Sequence, residues 1–375
     1  MTFCYSPWTN IDISPMGEIS PCCKFQTQYY DQHFNIQNHT LDQYLNSEFL
    51  SNIKQEFKQA MWPRGCERCK IEEQNSIQSK RNLDFERWNK HYNALDLNNA
   101  SVLTSSVAFG NTCNLKCITC NSYSSSRWQQ EYNSIHGVNI LPVKFYKKDF
   151  VDDFVKQAPN IIHIDIPGGE PFLSGVLEQQ KLLQHYIDTG IANKISLHYT
   201  TNVTIFPNSS WWKIWSYFKE VDMQLSIDGI GNRYEYIRYP AKWQDTETNV
   251  NRYIEKNRVL NNFRLSVSHT VSAYNIYYLD EFFTWCYNVG LPRPWLGRVH
   301  TPSYMSPEVW NNEAREFITN HLQTSNNSDV VNWGLLIKNT DESSMFDLFK
   351  KYLHQHDSYR NTNFANTFSE LAPYI

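Results

Sequence analysis

Eight of the nine cysteines fall within the first 120 residues of this 375-residue chain, at positions 4, 22, 23, 66, 69, 113, 117 and 120, and only Cys286 lies beyond them. Disulfides at such density belong to exported proteins. The start, Met1-Thr2-Phe3-Cys4, has no basic stretch followed by an apolar one, so no signal peptide is read and a cytoplasmic location is expected. Clustered cysteines in that compartment are read as ligands of a metal or an iron–sulfur centre. With 34 Lys plus Arg against 38 Asp plus Glu, the net charge of −4 argues against a nucleic-acid footprint, which needs clustered positive charge. No apolar run approaches the ~20 residues of a membrane span, so no membrane partner is expected.

The middle of the chain sets the expected fold. Apolar and β-branched runs at 105–110, 161–166, 194–200, 222–227, 263–271 and 295–299 read as strands. Amphipathic stretches at 124–135, 173–189, 209–219, 246–260 and 277–289 read as helices between them. Six strands with a helix between each and the next predict an α/β fold with a partial (β/α)6 barrel of the TIM type. Residues 1–95 form a small cysteine-rich N-terminal domain in this reading, 100–300 the barrel, and 301–375 a helical C-terminal extension. In β/α barrels the chemistry sits where the strands end.

The first strand is followed by Cys113-Asn114-Leu115-Lys116-Cys117-Ile118-Thr119-Cys120, a C-x3-C-x2-C loop. Three thiolates within eight residues can cap three irons of a cubane cluster and leave the fourth open. Zinc in a closed site would want a fourth ligand nearby, and none follows closely. After the second strand comes Pro167-Gly168-Gly169-Glu170-Pro171, after the third Thr201-Asn202, and the fourth ends in Ser226-Ile227-Asp228-Gly229. Glycines let the backbone approach a ligand closely, and Glu170 is placed to accept hydrogen bonds from an ammonium group. Alternation puts Ser226 and Asp228 on one face. Downstream lies Tyr236-Ile237-Arg238-Tyr239. Asn202 reads equally as a turn former, and Arg238 as a surface arginine.

These motifs, in register at successive strand ends, resemble the radical S-adenosylmethionine (SAM) enzymes over roughly residues 100–300. The resemblance implies a SAM-binding [4Fe–4S] cluster on Cys113, Cys117 and Cys120. It also implies SAM contacts from Gly168, Gly169, Glu170 and Pro171, with Asn202, Ser226, Asp228 and Arg238. Thr119 replaces the aromatic residue that many members place before the third cysteine, so only its backbone would meet the adenine.

The N-terminal cysteines follow the pattern C-x12-G-x4-C and then C-x2-C, counted from Cys4 through Gly17 to Cys22, with Cys66 and Cys69 after a gap. This resembles a twitch domain, the shortened form of the SPASM domain. The resemblance implies an auxiliary [4Fe–4S] cluster on Cys4, Cys22, Cys66 and Cys69, although Cys23 could replace Cys22 and a four-cysteine set suits zinc equally well. In many relatives such a domain follows the barrel, whereas here it precedes it.

The expected activity is therefore that of a radical SAM enzyme, oxidoreductase-type or peptide-modifying. It would cleave SAM reductively to a 5′-deoxyadenosyl radical and abstract a hydrogen from a substrate. The implied partners are an external electron donor such as a flavodoxin or ferredoxin and, from the Ser-Ile-Asp-Gly segment, a ribosomal peptide or protein substrate. The competing expectation is a non-catalytic iron–sulfur or zinc protein on a barrel scaffold. Cys286, in an apolar helical stretch, reads as core, and His300 as a structural histidine.

Overall fold

The computed structural model describes residues 2–75, 77–93, 95–98, 100–139, 149–299 and 301–375. His300 lies outside the described residues. Eight strands are present among them: β1 Asn10–Ile13, β2 Ile19–Ser20, β3 Thr104–Val107, β4 His163–Ile166, β5 Ser196–Thr201, β6 Glu220–Ser226, β7 Phe263–Val271 and β8 Trp295–Arg298. They follow the order β2-β1-β3-β4-β5-β6-β7-β8 in one sheet. Pairing is parallel for β1 with β3, β3 with β4, β4 with β5 and β7 with β8, and antiparallel only for the β1–β2 hairpin among the pairs whose register is defined. The fold is α/β with a mostly parallel sheet, and all six expected strands are found.

Alternation explains the strands. In β6, Val221, Met223 and Leu225 are buried while Glu220, Asp222, Gln224 and Ser226 are half-buried. One apolar and one polar face is what a period of two delivers. The helices between strands begin and end where side chains satisfy their free backbone groups. Asn208 caps the helix Ser209–Trp215 by accepting from the Ser210 N–H at 3.1 Å. Gly137 and Gly290 close the helices Ser126–His136 and Leu279–Val289 in the left-handed conformation.

The chain divides into two compact units. The first comprises Met1–Thr112, Val143–Tyr199 and Pro207–Val221; the second comprises Cys113–Pro142, Thr200–Phe206 and Asp222–Ile375. In the first, the N-terminal segment contributes β1, whose Asn10, Ile11, Asp12 and Ile13 pair with Thr104, Ser105, Ser106 and Val107 of β3. Ile11 and Ile13 are buried in its core. The same segment carries the helices Leu41–Leu45, Glu48–Lys58, Glu67–Gln74 and Lys80–Tyr92.

In the second unit, residues beyond 301 build the core. Trp310, Phe349, Phe364 and Phe368 pack with Tyr274, Val271 and Ile237, and Trp310 donates its indole N–H to the Ala273 carbonyl at 3.1 Å. Cys286 is buried in the helix Leu279–Val289.

Candidate cofactor sites

The loop carrying Cys113, Cys117 and Cys120 leads into the helix Ser126–His136. The first of its sulfurs, that of Cys113, has two hydrogen-bond donors. The Leu115 N–H lies 3.4 Å from Cys113 Sγ, and Asn202 Nδ2 lies 3.7 Å from the same sulfur while donating to Asn114 Oδ1 at 2.9 Å. Asn202 Oδ1 accepts from the Thr204 N–H and hydroxyl. The structure therefore turns Asn202 toward the cysteine loop.

Arg238 stands beside Cys117 and Cys120. Burial pushes both thiols up, Cys120 to about 12, and the guanidinium works in the opposite direction. Arg238 is paired with Asp228 at 2.8 Å, both almost fully buried. Asp228 also accepts the Thr270 N–H at 2.7 Å through its other oxygen. The Nε of Arg238 has no hydrogen-bond partner among the described residues. Ser226 ends β6 half-buried, and Thr119 occupies the half-buried turn between Cys117 and Cys120.

In the first unit, Gly168–Pro171 leaves β4 alongside residues 110–112. Glu170 N–H donates to the Thr112 carbonyl at 2.8 Å, and Gly169 N–H to that of Gly110 at 3.3 Å. A Cβ on Gly169 would lie 2.3 Å from the Thr112 oxygen, inside any tolerable contact. Gly168 adopts φ +138°, a conformation open to glycine. The paired glycines thus serve backbone-on-backbone packing, a reason the sequence alone does not give. Glu170 is fully buried, and one of its oxygens accepts from the Phe172 N–H at 3.3 Å.

Cys4, Cys22, Cys66 and Cys69 line a single cavity together with Lys80 and Arg81. Cys23 is exposed and does not line it. The pair sits in a tight turn closed by the Phe25 N–H on the Cys22 carbonyl at 3.0 Å, and only Cys22 reaches the cavity. Burial pushes the four thiols up. Ser6 hydrogen-bonds Cys4 and the Arg81 backbone hydrogen-bonds Cys69, both favouring the thiolate. Among the described residues no three His, Cys, Asp or Glu side chains stand close enough to hold a single metal ion; the four thiols share a cavity instead.

Sequence reasoning missed a polar row on the sheet of the first unit. Asp12, Ser106, Asp165 and His198 are neighbours in register on β1, β3, β4 and β5. His198 Nδ1 meets Asp165 Oδ1 at 2.8 Å. Burial alone would raise Asp165, but this bond holds it below the ordinary carboxylate range; burial and the Asp165 charge push Asp12 up to about 7. Such a pair can hold and pass a proton. The only signal in the sequence was the period of two shared by these strands.

Both sulfur sets fit iron–sulfur ligation by donor chemistry: cysteine thiols with N–H donors and cationic side chains nearby, which thiolates need. Residues 4–70 match the SPASM model, described as an iron–sulfur cluster-binding domain, a span that contains all four cavity cysteines. The N-terminal segment is SPASM-like. No curated protein matches the chain. Among solved structures, native anSMEcpe with bound AdoMet is similar at 18% identity and a TM-score of 0.44, over 58% of this chain and 59% of that one. Native anSMEcpe with bound AdoMet and Cp18Cys peptide gives 18% and 0.44, over 59% of each chain. SuiB of Streptococcus suis bound to S-adenosylmethionine gives 13% and 0.39, over 96% of this chain and 72% of that one. The chain spans less than two thirds of the length of the anSMEcpe structures. Among the described residues no helix is long and apolar enough to cross a membrane.

Proposed function

We propose that this chain is a radical SAM enzyme that cleaves SAM reductively and takes a hydrogen atom from a peptide or protein substrate. The observation that carries the reading is the three-thiol loop, with the Leu115 N–H and Asn202 at the Cys113 sulfur and the buried Arg238–Asp228 pair near enough for its charge to act on Cys117 and Cys120. Cys113, Cys117 and Cys120 would hold a four-iron cluster, and Cys4, Cys22, Cys66 and Cys69 an auxiliary one. When bound, a reduced cluster supplies the electron that cleaves SAM; an external flavodoxin- or ferredoxin-type donor would provide it.

The protein's part is binding and electrostatics. Glu170 and the Gly168–Gly169 backbone would receive the amino group of SAM, with Pro171 closing that turn. Ser226 would face the ribose and carboxylate side, and the Thr119 backbone the adenine. Arg238, oriented by Asp228, presents a buried guanidinium of the kind that pairs with a carboxylate. Asn202 steadies Cys113. The proposed division is an auxiliary-cluster domain at 1–95, a catalytic core at 100–300 and a helical extension at 301–375. The Ser-Ile-Asp-Gly segment supports the peptide or protein substrate, and the cysteine usage a cytoplasmic location.

The test is anaerobic reconstitution followed by reduction with SAM. Wild type should release 5′-deoxyadenosine and methionine without substrate, and Cys117→Ala should not. Equal release by the mutant, or a protein that takes up zinc in place of iron at both sites, would remove the assignment.

A further inference from the structure

The loop backbone from Leu115 to Ile118 is tied down at each of its three peptide groups. The Leu115 carbonyl accepts from the Ser125 hydroxyl at 2.7 Å, and the Lys116 N–H donates to the Tyr239 carbonyl at 2.7 Å. The Cys117 carbonyl accepts from the Trp128 indole at 2.6 Å, and the Ile118 N–H donates to the Ile237 carbonyl at 2.7 Å. The remaining tie is the Lys116 carbonyl. It accepts from Arg360 Nη2 at 2.7 Å, across 244 residues of sequence.

Arg360 is the last residue of the helix Phe346–Arg360 and is 6% exposed. A fully buried carboxylate, Glu131, fixes its guanidinium: Arg360 Nε donates to Glu131 Oε1 at 2.8 Å. His356, one turn earlier, reaches the same oxygen at 2.8 Å, and Lys116 Nζ reaches Glu131 Oε2 at 3.2 Å. Burial alone would raise Glu131, yet the bonds from His356 and Arg360 hold it below the ordinary range, so it stays charged. Trp128 stands edge-on to His356, with ring centroids 5.4 Å apart. One carboxylate thus gathers the C-terminal helix, the helix after the loop and the loop itself.

We infer that Arg360 is a positioning residue for the cysteine loop: oriented by Glu131, it fixes the peptide between Cys113 and Cys117 in the shape that presents the three thiols together. Cluster capture then depends on the C-terminal segment. The inference rests on the proposed cluster at these cysteines, but the loop's rigidity is measurable without any cluster. A bond that spans this distance in sequence has no need to exist for the helix to fold. An arginine at a helix C-terminus can serve its own last carbonyls; this one is spent on the loop instead.

The experiment uses the full-length, cluster-free chain and hydrogen–deuterium exchange read by mass spectrometry. In Arg360→Met, amides of 113–120 should exchange about tenfold faster, a change of ~1.4 kcal/mol in local opening, while β7 keeps its protection. Arg360→Lys can retain the charge pair with Glu131 but is too short and lacks the fork to reach both partners; it should recover melting temperature without recovering loop protection. A merely structural role predicts that both recover together. Trp128→Phe removes only the bond to the Cys117 carbonyl and should loosen the same peptides to a smaller degree. If Arg360→Met unfolds outright, these two milder variants decide the matter. After anaerobic reconstitution, Arg360→Met should hold about four irons against about eight in the wild type, by cysteine-ligand count. Wild-type exchange at 113–120 in Arg360→Lys and Trp128→Phe, or a full iron complement in Arg360→Met, overturns the inference. A wild type that binds no iron at the loop, with exchange changes as expected, would instead count against the cluster reading.

Discussion

Replacing Gly169 with alanine should damage the molecule out of proportion to one methyl group. The new Cβ would lie 2.3 Å from the Thr112 oxygen and 2.6 Å from two backbone carbons of residues 111 and 112. Backbone cannot rotate away as a side-chain tip does, so the two chain segments must part. Overpacking of this kind costs about 1–3 kcal/mol. Parting also breaks the 2.8 Å bond from Glu170 N–H to the Thr112 carbonyl, worth about 1 kcal/mol. The sum is about 2–4 kcal/mol. Gly190→Ala is the control: nothing stands within 4 Å of its Cβ, and only its φ of +75° is strained, at a cost of about 1–2 kcal/mol. Equilibrium denaturation of both variants, with titration calorimetry for SAM, makes the comparison. Gly169→Ala should be the less stable by about 1–2 kcal/mol, with SAM affinity reduced tenfold or more, while Gly190→Ala binds normally. If Gly169→Ala proves as stable as Gly190→Ala and binds SAM equally, the close approach at 110–112 is not what these glycines serve.

Cys22→Ser should lower reconstituted iron from about eight to about four per chain, whereas Cys23→Ser should leave it unchanged; the reverse pattern would place the wrong sulfur in the cavity. Asp228→Asn leaves the buried Arg238 charge without its partner and should cost about 3–5 kcal/mol in unfolding free energy, with a cost under 1 kcal/mol contradicting the buried pair. Burial lowers His269 to about 4 and His163 to about 3. An unfolded histidine titrates near 6.5, so the unfolded chain takes up these protons first, and stability present above that value is lost as pH falls toward 4. From pH 7.5 to 5.5 the loss should be ~1 kcal/mol per histidine; a pH–stability profile that His269→Gln leaves equally steep would refute it. Trp310→Ala should cost about 3–5 kcal/mol, measurable by denaturation, because residues beyond 301 form core.

The six expected strands were legible because each carries a run of apolar or β-branched residues with an alternating partner face. The strands β1 and β2 were not: at four and two residues they are too short for a period to register. The helix Gly231–Ile237 escaped because it opens on glycine, a poor helix former. The C-x3-C-x2-C spacing showed the three thiols that the structure sets on one loop. It could not show that Asn202 turns to Cys113, nor that Arg238 is already committed to Asp228. Choosing Cys22 over Cys23 needed the direction of the backbone, which two adjacent identical residues do not reveal. The last segment read only as a helical extension because its buried aromatics, Trp310, Phe349, Phe364 and Phe368, are widely spaced in the sequence. The link from Glu131 to Arg360 spans 229 residues, a separation no local pattern encodes.

The parallel pairing of β1 with β3 has a consequence for how this chain can be cut. Besides the four register pairs, the Leu103 N–H donates to the Thr9 carbonyl and the Ala108 N–H to that of Ile13, each within 2.9 Å. The Ser105 hydroxyl bonds the Ile11 carbonyl at 2.6 Å. A fragment beginning near residue 100 would strip that side of β3 and leave a bare sheet margin of unpaired N–H and C=O groups. Such margins recruit strands from other molecules. The segment that houses five of the cysteines is also the guard against self-association, and expression of the remainder alone should yield aggregates whatever its iron content.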